Sequence, residues 1–170
     1  MPVAHYFTKK PGIKPQMELK HEKKVLLFAI GNNARGDDGL GWAFAASLES
    51  KNIFPGDILL RYQLQVEDAE LCAHYPYILF VDAWKSDAES TLDFRPCLPI
   101  PDASFTTHAV TPQGILHLCL DLYGARPQAW LLLLKGTSWG LGEKLSRQGR
   151  KSLKDGLTFF ERYLAESPFF

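Results

Sequence analysis

Gly31-Asn32-Asn33-Ala34-Arg35-Gly36-Asp37-Asp38-Gly39-Leu40-Gly41 joins two segments of different periodicity, and its reading decides the fold. Before it, Val25 to Ile30 is an unbroken apolar run of the kind that forms a strand buried on both faces. After it, Leu40, Phe44 and Leu48 recur at helical spacing, with Ala43 and Ala45 between them. A glycine-rich turn from strand to helix commonly cradles phosphate on the free N–H groups of the helix. Gly31 and Gly36 keep the glycine spacing of a P-loop, but Asp37 and Asp38 stand where that motif has lysine and then serine or threonine. A carboxylate and a phosphate charge repel by roughly 4 kcal/mol at an effective dielectric of 20. The turn suits a cation or a backbone donor, not a nucleotide.

Aspartate is a common N-cap, and a cap needs only one carboxylate. Asp37 is read as the capping residue, which leaves Asp38 for function. On this reading Asp38→Asn harms activity more than Asp37→Asn, since asparagine is still an acceptable cap.

Outward from the turn, the chain reads as strands alternating with helices. Strands are expected at Asp57 to Leu64, at Tyr77 to Val81 ending in Asp82, and at Trp130 to Leu134. Thr91 to Cys97 alternates Leu92 and Phe94 with Asp93 and Arg95, as a half-exposed edge strand does. Helices are expected at Glu67 to His74 and at Pro112 to Tyr123, the latter with Thr111 as N-cap and Pro112 in the first helical position. The last helix runs from about Lys144 to Ala165, with Leu153, Leu157, Phe160 and Leu164 on one face. Leu98 to Thr107 is proline-rich and irregular, and Gly136 to Gly142 is a loop. This alternation predicts an α/β fold, a largely parallel sheet covered by helices on both faces.

At 170 residues the chain is expected to form one domain, residues 24–170, behind a weakly basic arm at residues 1–23. The arm has no apolar stretch of the signal-peptide kind, and no run elsewhere reaches the length of a membrane span. With 19 basic and 19 acidic residues the chain has no net attraction for nucleic acid or an anionic membrane. Cys72, Cys97 and Cys119 are too scattered for a disulfide framework or a Cys-x2-Cys zinc site, so a cytoplasmic location is expected.

In parallel sheets ligands bind beyond the carboxyl ends of the strands. Asp38 follows the first strand, and Asp82 stands at the tip of the buried run Ile78-Leu79-Phe80-Val81. A charge there is costly unless it has a partner, which is a ligand, a cap or an ion pair with Lys85. His108 precedes the helix that begins at Pro112 on the same side of the sheet. Asp38, Asp82 and His108 form a mixed oxygen and nitrogen donor set without thiolate, suited to nickel, zinc, manganese or iron(II) with open positions. Their side-chain heads should lie within about 6–7 Å of one another, an empty site being wider than a metal with bonds of roughly 2 Å. His5 and His21 lie in the arm, His74 closes a short helix, and His117 is mid-helix. No Gly-x-Ser-x-Gly elbow is present, and no cysteine stands in a loop before a helix.

These segments resemble the hydrogenase maturation proteases, endopeptidases that trim the large subunit of nickel–iron hydrogenases. The resemblance is carried by Gly31, Asn32, Asp37, Asp38 and Gly41, by Val81-Asp82-Ala83, and by Thr107, His108 and Pro112. It spans about Lys24 to Leu164. It implies a phosphorylase/hydrolase-like three-layer α/β/α sandwich whose five-stranded sheet is mostly parallel with an antiparallel edge strand. It also implies that Asp38, Asp82 and His108 are the catalytic and nickel-binding set, with nickel supplied by the substrate and no nucleotide cofactor. The implied partner is the precursor of a hydrogenase large subunit, from which a C-terminal extension is removed. Many relatives have an Asp-Gly-Gly type of turn after the second strand, where this chain has Gln63-Leu64-Gln65-Val66-Glu67-Asp68. Gly136 to Gly142 resembles the family's final cleft loop. The alternatives are a nickel-checking chaperone on the same fold that does not cleave, and a nucleoside phosphorylase or peptidyl-tRNA hydrolase relative, which the acidic turn opposes.

Overall fold

The first strand, β1 (Val25–Ile30), is buried along its whole length, and its two faces serve different cores. Leu26, Phe28 and Ile30 join one apolar cluster, and Leu27 and Ala29 join the other, as the two-residue period of a strand requires. The structure is a computed structural model and describes residues 25–101 and 110–167. Its remaining strands are β2 (Asp57–Arg61), β3 (Tyr77–Lys85), β4 (Leu92–Pro96) and β5 (Gln128–Gly136). They lie in the order β2-β1-β3-β5-β4, all parallel except the β4–β5 pair. The α/β sandwich read from the sequence is the observed fold, with the antiparallel strand at the edge.

Helices α1 (Leu40–Lys51) and α4 (Arg147–Glu166) cover one face, where Phe44 meets Phe160 edge-on at 5.6 Å. Helices α2 (Asp68–Ala73) and α3 (Pro112–Tyr123) cover the other, over Phe28 stacked on Phe80 at 5.4 Å. Cys72, Cys97 and Cys119 are free thiols buried in this second core, where they act as small apolar residues. The expected caps of α3 are present. The Thr111 hydroxyl accepts from the Gly114 N–H at 3.0 Å, and Pro112 opens the helix.

β5 runs two residues past its expected range at each end and β4 and α2 are one shorter at each end, while three further boundaries move because of a tertiary partner. β2 stops at Arg61 instead of Leu64, since the Arg61 guanidinium turns to the buried Asp68 at 3.0 Å and Leu64 folds into the core. β3 continues past Val81, because β5 pairs with it in register as far as Lys85 opposite Gly136. Asp82 therefore lies within the strand rather than at its end. α4 begins at Arg147 instead of Lys144, because Ser146 is its N-cap and accepts from the Gly149 N–H at 2.9 Å.

Candidate functional site

β1 and β3 are adjacent, and the chain leaves β1 toward β2 on one side while β3 lies on the other. Their carboxyl ends thus form the point where the winding changes direction. Asp38 sits there in a single 3-10 turn, Gly36–Gly39, between β1 and α1. Its backbone is fixed from both sides. The Asp38 N–H donates to the Arg35 carbonyl at 3.1 Å, and the Asp38 carbonyl accepts from the Asn32 N–H at 3.0 Å. This packing demands glycine at 31. Gly31 has φ of +129°, and a Cβ there would stand 1.9 Å from the Asp38 carbonyl oxygen. We expect Gly31→Ala to lose about 2–3 kcal/mol of stability by strain and to displace Asp38. A thermal melt, with the activity of the surviving folded fraction, checks both parts.

Asp37, read from the sequence as a helix cap, caps nothing: neither the 3-10 turn nor α1 has a side-chain cap bond. Its role is structural, but of another kind. Fully buried, the carboxylate accepts from the N–H groups of Thr137 at 2.7 Å, Ser138 at 3.0 Å and Ser146 at 2.7 Å. It also accepts from the Ser146 hydroxyl at 2.6 Å. Burial alone would push its pKa up, but the Ser146 hydroxyl and the three N–H groups outweigh that and hold the carboxyl below its ordinary value. Backbone bonds from Gly36 to Glu143, from Asp37 to Ser138 and from Gly142 to Ala34 lace the turn to the same loop. The clamp needs a bare neighbour, because a Cβ on Gly149 would meet Asp37 Oδ1 at 2.2 Å. Ser146 was not singled out from the sequence. Its local signal was a serine just before the amphipathic pattern of α4.

Asp82 is partly buried on β3 and shares the strand face of Ile78 and Phe80, toward α2 and α3. Its Oδ1 accepts from the N–H of the next residue, Ala83, at 2.7 Å. Burial first, and the Asp38 carboxylate to a smaller degree, drive its pKa up to about 6 against the lowering effect of that N–H. The charge of Asp38, in the turn after β1, thus reaches Asp82 on the neighbouring strand. Of the two structural alternatives, the ion pair between Asp82 and Lys85 is not formed, whereas a local backbone bond is, from the Ala83 N–H. A divalent cation beside Asp82 would relieve the penalty that burial and the Asp38 charge place on its ionised form.

His108, the third residue of the expected convergence within about 6–7 Å, lies outside the described residues. Among the described residues no group of three His, Cys, Asp or Glu could hold a metal. Val110, two residues after His108, packs against the core cluster that contains Ile30 and Phe80. Of the other histidines, His74 ends α2 and His117 faces Asp121 at 3.3 Å one helical turn away. No helix of the described residues is long and apolar enough to cross a membrane.

No family model matches the chain, and no curated protein does. Solved structures share its fold. The nickel–iron hydrogenase maturation protease HycI from Thermococcus kodakarensis KOD1 superposes with a TM-score of 0.65 at 20% identity, over 85% of this chain and 94% of that one. The hydrogenase maturating endopeptidase HybD from E. coli gives 0.65 at 18% identity, with the same shares of 85% and 94%. A hydrogenase 2 maturation peptidase from Thaumarchaeota archaeon SCGC_AB-539-E09 gives 0.62 at 21% identity, over 85% of this chain and all, 100%, of that one.

Proposed function

We propose that this protein is an endopeptidase that removes the C-terminal extension from a nickel-loaded large-subunit precursor of a nickel–iron hydrogenase. The observation that carries the reading is the pair Asp38, in the turn just past the end of β1, and Asp82, on adjacent parallel β3 one residue beyond its last rung with β1, close enough for the Asp38 charge to act on Asp82. The shared fold with hydrogenase maturation peptidases supports it. In this reading nickel is cargo of the substrate, gripped by Asp38, Asp82 and His108, and its open positions are filled by the precursor's own ligands. Val110 anchors the segment after His108 on the core beside the face of β3 that carries Asp82, which favours His108 as the third ligand.

Thiol chemistry of the chain itself is a poor competitor. All three cysteines are buried, and burial raises each thiol, Cys97 to about 11. A thiol so protected is neither nucleophile nor ready ligand at neutral pH. A donor set of two carboxylates and one imidazole is hard and incomplete for nickel, so the isolated protein binds the free ion weakly. The test is to incubate the protein with nickel-loaded and metal-free precursor and weigh the products. Cleavage of the loaded form alone is the expected result. A pull-down with His108→Ala should lose capture of the loaded precursor specifically. Capture of the loaded form with no change in mass would replace the peptidase by a nickel-checking chaperone, and equal capture of both forms by wild type and variant would end nickel sensing.

A further inference from the structure

The chain is neutral overall, yet residues 144–154 hold five basic residues and no acidic one. Lys144, Arg147, Arg150, Lys151 and Lys154 are all exposed, at the start of α4 and on its first two turns. Spacings of three and four residues set Arg147, Arg150, Lys151 and Lys154 along one face of the helix. This arrangement opposes local physics twice. The first turn of α4 has no acidic residue and its last turn no basic one, the reverse of what the helix dipole favours. Arg147 with Lys151, and Arg150 with Lys154, are like charges four residues apart, which also destabilises the helix. Internal relief is slight. Asp155 pairs with Lys151 at 2.9 Å, and the Arg150 guanidinium donates to the Leu145 carbonyl. Among the described residues Arg147 and Lys154 have no ion pair.

The same face borders a groove of about 350 Å³ between α4 and the end of α1. Leu153 and Leu157 supply apolar surface there, while Lys51, Arg150 and Lys154 supply positive charge, one of them, Lys51, already paired with Glu161. The patch starts at the loop that Asp37 clamps to the turn carrying Asp38 and runs from there along α4 toward the end of α1.

We propose that this basic face and its groove form a docking surface for an acidic segment of the protein substrate, one whose apolar side chains enter beside Leu153 and Leu157. The choice of a peptide over a nucleic acid rests on the peptidase reading and on the apolar floor, which a phosphate backbone would not use. Charge complementarity of this kind speeds encounter and orients the substrate before the reactive segment reaches the site.

The test uses the full chain and a fluorescein-labelled peptide of glutamates with two leucines one helical turn apart, read by anisotropy. Wild type should bind it, more weakly as salt rises. Arg147→Glu combined with Lys154→Glu should weaken binding roughly tenfold or more, as should serine in place of the two leucines in part. The double variant should melt no lower than wild type, since glutamate at 147 suits the helix N-terminus and glutamate at 154 stands four residues from Arg150. Absence of binding by wild type, equal affinity of the folded double variant, or tighter binding of a short duplex DNA than of the peptide would overturn the proposal. Peptide binding is independent of cleavage. Cleavage of the loaded precursor without peptide binding sinks the docking surface alone, whereas peptide binding without cleavage sinks the peptidase reading alone.

Discussion

Replacing Asp82 by asparagine should abolish cleavage of the nickel-loaded precursor while making the folded protein more stable at neutral pH. The two effects have one origin. Asp82 is held partly buried with one hydrogen bond from its own neighbour and the Asp38 charge beside it, which raises its pKa from 3.8 to about 6. A carboxylate with a raised folded pKa binds more protons folded than unfolded between those values, so stability falls as pH climbs through that window. Above it the full penalty remains. Two units correspond to nearly 3 kcal/mol, and partial exposure of the group reduces the expected gain for asparagine to about 1–2 kcal/mol. Loss of the ligand should lower turnover by at least about 100-fold, since even outer-shell changes cost 10–100-fold. Thermal melts at neutral pH and mass analysis of the precursor read the two effects separately. A variant that cuts as well as wild type would remove Asp82 from the site, and one that melts much lower would make it a structural residue.

Asp37→Asn should do the reverse, lowering stability by about 3 kcal/mol and activity only through the loss of fold. The carboxylate accepts four hydrogen bonds, and an amide must turn its NH2 toward an N–H or hydroxyl that already donates. For a chain of this size the midpoint should fall by roughly 6–12 °C. The pH dependence has a definite sign. The folded pKa of Asp37 is depressed, so its contribution is complete above the unfolded value near 3.8 and fades as pH falls through the folded one. The gap between wild type and variant should therefore be full at pH 5 and above, and narrow in stronger acid. Equal melting of the two proteins at neutral pH would restore the capping role that the sequence alone assigned to Asp37.

That assignment shows where local reading ends. A capping aspartate and a clamping aspartate look alike in sequence, because both precede a helix in a polar turn. The partners of Asp37 are residues 137, 138 and 146, about a hundred positions away, and no periodicity connects them to it. The same limit moved the ends of β2, β3 and α4. β3 runs on to Lys85 because β5 offers a ladder there, although its apolar run has already stopped at Val81.

What the amino-acid sequence determined by itself was the layer architecture. The two-sided burial of β1 and β3, the alternation of β4 and the helical stripe of α4 follow from where apolar side chains recur along the chain, and hydrophobic burial acts on that pattern wherever the elements meet. The order of motifs also pointed to Asp38 and Asp82 as a pair. Tertiary structure alone decided how Asp37 holds the fold, as a clamp on a distant loop and not as a helix cap. Hydrogen bonds and charge interactions act over a few ångströms, so they depend on which distant segment packs alongside, and only the folded sheet brings Ser146 to Asp37 and Asp82 to Asp38.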